Sequence, residues 1–513
     1  MGVDSKHPLY TEHETDWDQM RDTYRGERIV KEAGTKYLPP TSGMVADGML
    51  NTTNVGFKAY IAYRKRARFP DTVREAVEAL LGVMHGKPAT IELPERMEFL
   101  RDNATMRNES LQMFLRRINE EQLALGRTGI LADVVDRGER KDEPYLSIYL
   151  GERIINWDEG RRDGIEIQNL NFVSIDETED ERIDNFEWEK IDKFRVLILA
   201  SNESDEAATE VGSSADNLAE GEGVYRVGIF RDQTSFAPDE MVTPRIKGRT
   251  LDKIPFVFIN TKDITPEPDD PPLLGLSNLT LAIYRGEADY RQSLFMQGQD
   301  TLVVIGVTQG EKYRVGAGAS IELPVSGDAK YIGVDSQGLA EQRLSLENDY
   351  TRAGAKGGQL LDTVGGDKES GEALRIRIAA KTATLNQIAQ SGAFGLQTIL
   401  RIVAEWMGED PMKVIVSPHL EFADDRMAAK ELVELMSAKT LGAPISHKSI
   451  HGNMQERGMT GLAFEEELAE IEAEKDLELG GPSATDPDGP EPDEPPADDD
   501  NDDDDEGGDD DNA

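Results

Sequence analysis

The segment PPLLGLSNLTLAIYRGEADYRQSLF, residues 271–295, follows a run of prolines and acids and then takes on helical spacing. Leu276, Leu279, Ile283, Tyr290 and Leu294 recur on one side. Leu281, Tyr284, Ala288 and Phe295 make a second apolar stripe, and Arg285, Glu287, Asp289 and Arg291 keep the remainder polar. A helix apolar on two sides has to be covered on two sides. No residue type associated with catalysis gathers around it. The doubled apolar face therefore predicts an obligate subunit interface, which a monomeric enzyme would not need.

The chain has 513 residues, enough for two to four domains. It contains no cysteine, which excludes disulfides and thiolate chemistry and fits a reducing compartment. No window reaches the ~18–20 consecutive apolar residues of a membrane span. The opening MGVDSKHPLY lacks the basic-then-apolar layout of a signal peptide. A soluble protein synthesised in a cytoplasm is expected. Charge is the outlier: 56 Lys+Arg stand against 100 Asp+Glu, a net of −44. Residues 486–511 hold 16 acids and no base, which leaves −28 on the rest of the chain. Such a body repels a phosphate backbone, so a DNA partner would have to pass by rather than be gripped.

Along the chain, TDWDQMRDTYRGERIVKEAG reads as an amphipathic helix ending near Gly34. FPDTVREAVEALLGVMHGKP is a second helix, with Asp71 at its start and Gly86 and Pro88 at its end; SLQMFLRRINEEQLALGRTG is a third, followed by the strand GILADVV. From about 145 to 260 the period shortens. YLSIYL, FRVLILA, VYRVGIF and IPFVFIN are β-rich runs of an antiparallel or mixed sheet. TLVVIGV, ASIELPV and KYIGV, between 301 and 334, have hairpin-like spacing, and 337–355 is helical again. GAKGGQLLDTVGGDKESG (354–371) is a loop by its glycines. A long helix over 371–407 follows, then the strand KVIVSPHLEF, a helix from DRMAAKELVELMSAKTLG, and a helical pair reaching about 479. Beyond 480 the Pro, Gly and Asp content predicts disorder.

Chemistry-bearing motifs are few. HGKPAT carries Gly86-Lys87 but continues with Pro88, which removes a donor a phosphate loop needs; GAGASI has Ile321 where a dinucleotide fingerprint needs its third glycine. His447 and His451 share a helical face, yet Lys448 replaces the glutamate of the zinc-protease motif and no third ligand is evident. A solvated helix face is the reading there, with no metal and no cofactor. With six histidines, no cysteine and no G-x-S-x-G, a nucleophile–base constellation has nothing to anchor it. The acidic tail lacks the ligand spacing of a calcium loop and reads as a solubilising brush.

Several stretches together resemble the portal proteins (head-to-tail connectors) of tailed bacteriophages. They are HPLYTEHETDWDQMRDTYRGERIVKEAGTKYLPP, VEALLGVMHGKPATIELPE, FLRRINEEQLALGRTGILADVVD, IPFVFIN with the opening segment and its continuation MQG, and MAAKELVELMSAKTLGAPISHKSIHGNMQERG. The likeness spans most of 7–470 and leaves out the tail. It implies an α+β, multidomain subunit with wing, stem, clip and crown, whose long helices surround a central tunnel in a ring, usually of twelve. Residues 1–270 would be the N-terminal segment and wing, 271–300 the stem helix, 301–336 the clip, and 337–356 the second stem helix. Residues 357–371 would be the tunnel loop, 372–410 the long tunnel or wing helix, 411–480 a wing strand and crown helices, and 481–513 the acidic tail.

The resemblance also implies a function. The ring would sit at one capsid vertex of the virion, be assembled in the host cytoplasm, and let double-stranded DNA through during packaging and ejection without reading sequence. Its partners would be terminase, then head-completion and tail adaptor proteins, and the capsid or scaffold protein. It would be no enzyme. Arg285, Glu287, Asp289 and Arg291 would look into the tunnel or across a subunit seam. Lys356 and Lys368, flanking the Gly-rich loop, would make transient phosphate contacts. The alternative from composition alone is a multidomain carboxylate hydrolase of an acidic, salt-adapted proteome.

Overall fold

The computed structural model describes residues 2–135, 141–162, 165–200, 223–232, 238–298, 301–305, 325–332, 337–358, 371–420, 436–456 and 460–479. It divides into two compact units, Met1–Ala423 and Asp424–Ala513.

The first unit is a mixed α and β structure. α1 (Pro8–Arg25) starts at His7, whose ring accepts the Leu9 N–H, with Pro8 supplying a helix-ready φ. The short helices α2 (Glu27–Glu32), α3 (Ser42–Ala46) and α4 (Val55–Arg66) follow. In α5 (Thr72–Met84), Val73, Ala76, Val77, Leu80, Leu81 and Met84 recur every three or four residues, and all are buried. After β1 (Thr90–Glu92) and α6 (Phe99–Asp102), α7 (Leu111–Leu125) is capped by Ser110 and stopped by Gly126 in the left-handed region. Gly126 turns the chain into β2 (Arg127–Val134).

β2 is the centre of a three-stranded antiparallel sheet, between β3 (Pro144–Leu150) and β11 (Phe256–Asn260). Both faces of this sheet are covered. Leu131, Phe256 and Phe258 point into one core, while Ile130, Ala132, Val257 and Ile259 point into another. That is why GILAD and FVFIN read as unbroken apolar runs rather than alternating ones. A second sheet holds β4 (Ile154–Arg162), β5 (Ile165–Asp176), β8 (Phe194–Ala200), β9 (Val224–Phe230) and β10 (Glu240–Val242) in the order β10-β9-β8-β5-β4, all antiparallel. β6 (Glu179–Arg182) and β7 (Trp188–Ile191) form a separate ribbon.

The four strands expected at 145–260 all form. β4 and β5 escaped the sequence reading because their core residues, Ile154, Ile155, Trp157, Val173 and Ile175, form short groups beside charged stretches (Asp158, Glu159, Arg161 and Arg162 in β4), and register shifts break the alternation. Of the expected hairpin, β12 (Thr301–Ile305) and β13 (Asp328–Ile332) pair antiparallel, whereas ASIELPV, apart from Val325, lies outside the described residues.

The remaining helices of this unit are α8 (Leu274–Gln297), α9 (Gln337–Gly358) and α10 (Gly371–Met407). α9 continues into the Gly-rich stretch that composition reads as a loop, and residues 359–370 lie outside the described ones. Along α10, Leu385, Ile388 and Ala389 enter one core, Ala393, Leu396, Ile399, Leu400 and Val403 a second, and Trp406 a third. β14 (Ile415–Ser417) then pairs with β1. In the second unit, α11 (His447–Glu456) and α12 (Phe464–Leu479) pair through a Lys448–Glu465 bridge of 2.9 Å and the His451 ring edge-on to Phe464. Most of the helix expected from DRMAAKELVELMSAKTLG falls on residues outside those described.

Three arginines tie the first unit together. Arg21 of α1 forks onto Glu121 of α7 (2.6 Å) and Glu152 (2.7 Å). Arg127 is fully buried in the corner made by the rings of Trp157 (4.1 Å) and Phe258 (4.4 Å), which meet edge-on; His7 stacks on Trp157, and Arg127 Nη2 donates to the Pro266 carbonyl at 2.8 Å. Arg195 of β8 binds Asp133 of β2 (2.9 Å) and Glu177 (2.6 Å), and so joins the two sheets. Burial by itself would raise the Glu177 carboxyl. Arg195, the hydrogen bond from Tyr149 and the nearby Lys193 outweigh it and hold the carboxyl below the usual carboxylate range.

Two predictions follow from this packing. A Cβ on Gly395 of α10 would overlap Ile259 of β11, so G395A should lower unfolding free energy by about 1–3 kcal/mol in urea titration. G354A, whose Cβ would meet nothing, should leave it unchanged or raise it slightly. Because the folded pKa of Glu177 is depressed, its contribution is present above the ordinary carboxylate pKa and fades as pH falls through the folded value. The stability gap between the native protein and E177Q should therefore shrink as titrations move from pH 6 to below 4.

Candidate assembly site, a two-helix arm with a strand-paired tip

α8 and α9 run antiparallel. Glu287 of α8 meets Tyr350 of α9, and Lys356 at the end of α9 reaches the Gly275 carbonyl at the start of α8 (3.4 Å). In sequence the β12–β13 pair lies between them, so the described residues of 274–358 make an arm of two helices and a two-stranded tip. Gly286 sets how closely the helices approach, because a Cβ there would lie 2.9 Å from Leu346 Cδ2. Leu346 and Ala353, seven residues apart, are the buried stripe of α9, and much of its remaining surface is in solvent.

Both stripes of α8 are covered, and both by its own chain. Leu276 and Ile283 pack with Val73 and Val77 of α5, Leu346 and Ala353 of α9, and Leu385 and Ile388 of α10. Leu281, Tyr284 and Ala288 pack with Val30, Tyr37, Leu38, Met44, Tyr60, Tyr63 and Phe69 of the N-terminal helices. The two apolar faces therefore do not by themselves demand a second copy, as the sequence pattern suggested. The N-terminal helices supply the second partner, and nothing in their own spacing announces what they cover. Small hydroxyls knit the root of the arm: Thr280 to Thr72 (2.6 Å), and Ser277 to Thr23 (3.0 Å) and Gln19 (3.1 Å).

Coverage ends after Tyr290. Leu294, Phe295 and Met296 in the last turn of α8, Ile305 in β12 and Leu344 in α9 are each at least 40% exposed. A cluster of large apolar groups in water on one extended element is the kind of surface that association buries.

The polar positions of α8 are engaged as follows. Glu287 is buried between the helices, accepting from Arg291 Nε (2.5 Å) and Tyr350 Oη (3.2 Å). Burial and then Glu287 push the Tyr350 phenol up to about 12. Arg285 and Asp289 are solvent-exposed, yet Arg285 donates to the Tyr37 carbonyl (3.0 Å) and Asp289 accepts from Tyr63 (2.5 Å). Lys356 stands in the last turn of α9 rather than on a loop, and Lys368 lies outside the described residues.

One basic feature was missed by the sequence reading. Residues 55–70, VGFKAYIAYRKRARFP, hold five bases and no acid. A local charge window would have found it; the chain-wide sum hid it.

Elsewhere, a polar cavity of about 510 Å³ is lined by residues including Arg249, Asp252, Glu405 and Trp406. Glu405 is paired with Lys253, and the lining offers no nucleophile–base pair. His447 and His451 lie one turn apart on α11, with His451 Nε2 3.6 Å from Glu467. No group of three metal-ligating side chains occurs among the described residues.

Residues 272–407, which contain the arm and α10, match a family model described as Domain of unknown function (DUF4055). No curated protein matches the chain. Solved structures similar to it include a chain of the neck of a native gene transfer agent particle computed with C12 symmetry. That match has 11% identity, covers 75% of this chain and 89% of the other, and has a TM-score of 0.35. A chain from the neck of the empty particle, computed with C6 symmetry, is 12% identical over 81% and 93% of the two chains, also at 0.35.

Proposed function

We propose that this chain is the subunit of a phage portal ring, the connector through which DNA enters and leaves a capsid. The observation that carries the reading is the arm: two antiparallel helices with a strand-paired tip and an uncovered apolar end, in the segment on which the resemblance to portal proteins chiefly rests. In this reading α8 and α9 are the stem, β12 and β13 belong to the clip, residues 357–371 form the tunnel loop, and α10 is the helix behind it. The sheets and N-terminal helices make the wing, and α11 and α12 belong to the crown.

About twelve such subunits surround the tunnel, with the exposed ends of neighbouring arms covering one another. The clip meets terminase during packaging and the tail adaptors afterwards. Lys356 and Lys368 are the proposed transient phosphate contacts at the tunnel loop. Of the α8 positions, Arg285 and Asp289 are the two whose exposed surface is free to meet a neighbouring subunit. An acidic wall that repels phosphate lets DNA slide. The ring needs no nucleotide site of its own, since the motor is a separate protein.

Negative-stain electron microscopy with a mass measurement tests this. Rings with a central hole and a mass near twelve 56.8 kDa subunits are expected. L294D/F295D should give folded monomers under the same conditions, because it places charge in the apolar end of the arm. A native protein that stays monomeric even with scaffold protein added would overturn the reading, and a double variant that still forms rings would remove the arm end from the seam.

A further inference from the structure

The basic run 55–70 is a surface that the ring reading does not use. Its inward side is settled: Tyr60, Tyr63, Ala67 and Phe69 are buried against α8. Its outward side is cationic. Lys58 and Lys65, two turns apart on α4, are exposed, and so is Arg68 just beyond the helix. Arg64 sits over the Tyr60 ring (6.0 Å). Arg66 is the anchored member, bonded to Gln292 and lying 4.1 Å over Phe295 of α8.

Among the described residues, Lys58, Arg64, Lys65 and Arg68 have no carboxylate partner. They fall in a stretch, 55–70, that contains no acid, whereas other cations of the N-terminal part are paired: Arg28 with Glu32, Lys31 with Glu27, Lys36 with Asp22, and Arg101 with Glu98. Cations at a helix C-terminus do favour the helix dipole, which accounts for a charge or two in the last turn of α4. That does not account for Lys58, a turn and a half earlier, or for Arg68, outside the helix.

We infer that Lys58, Arg64, Lys65 and Arg68 form a docking surface for the phosphate backbone of double-stranded nucleic acid, bound without regard to sequence. Charge density favours phosphate over an acidic protein. Lys58 and Lys65 are about 10 Å apart along the helix axis, a span over which a duplex presents roughly six charges, at one per ~1.7 Å. A body that is otherwise strongly acidic repels the duplex elsewhere, so the contact is confined to this patch. The inference concerns one subunit and does not rest on ring formation.

The test uses full-length protein and a fluorescein-labelled 25-base-pair duplex of mixed sequence, followed by anisotropy between 50 and 200 mM salt. Binding should weaken with salt at a log–log slope of about −3 to −4, near −0.9 per phosphate neutralised. K58Q/K65Q/R68Q should cut affinity at least tenfold at 50 mM salt and flatten the slope by roughly 2–3. K190Q, an exposed lysine on β7, should bind as the native protein does. The substituted side chains are exposed, and an unchanged thermal melt establishes that the triple variant folds. Three results would overturn the inference: no binding by the native protein at 50 mM salt, equal binding by the triple variant, or displacement by poly-L-glutamate at charge-matched concentrations as effective as by unlabelled duplex. The last would identify an acidic protein as the partner. The mass of the same sample separates this result from the ring question.

Discussion

One face of one helix holds the first unit together. Between Leu385 and Trp406, α10 runs through three apolar cores in turn: that of the arm root, that under α7 and the central sheet, and that shared by the two sheets. Each fully buried Leu or Ile on this face is worth roughly 1.5–3 kcal/mol, so a handful of them outweighs the marginal net stability of a domain. The helix can lie flat on the sheet because Gly392 and Gly395 leave space for Asn119, Gln122 and Ile259. Ser391 and Gln122 then both donate to the Asn260 carbonyl, at 2.8 and 2.6 Å, and secure the end of β11 where the chain departs toward the arm.

Charge plays two distinct parts. Inside, Arg21, Arg127 and Arg195 each bridge elements distant in sequence, and their planar guanidinium groups either fork onto carboxylates or pack on aromatic rings. Burial with no carboxylate beside it pushes the Arg127 guanidinium down, and the Trp157 and Phe258 rings with the Pro266 carbonyl are what stabilise it there. Outside, the acidic excess keeps anions away from most of the surface. The uncompensated bases of 55–70 stand out against that background.

α8 could be read from sequence almost to the residue, because a 24-residue helix repeats its period often enough to be unambiguous. α5, α7 and the apolar strands β2 and β11 were legible for the same reason: each carries its burial in its own pattern. β4 and β5 were not, since charged residues and register shifts break the alternation. The basic run was plain in the letters but vanished in a chain-wide sum.

The sequence by itself determined which residues must leave water: the two stripes of α8, the face of α10 and the unbroken strands. It also determined an acidic molecule without thiol chemistry. Only the tertiary structure decided what covers them. Periodicity records that a face is apolar and says nothing of its partner, because burial is non-directional and any apolar surface of the right shape satisfies it. The second stripe of α8 is covered by Tyr37, Tyr60, Tyr63 and Phe69, from more than 200 residues earlier in the chain, and its last turn stays uncovered.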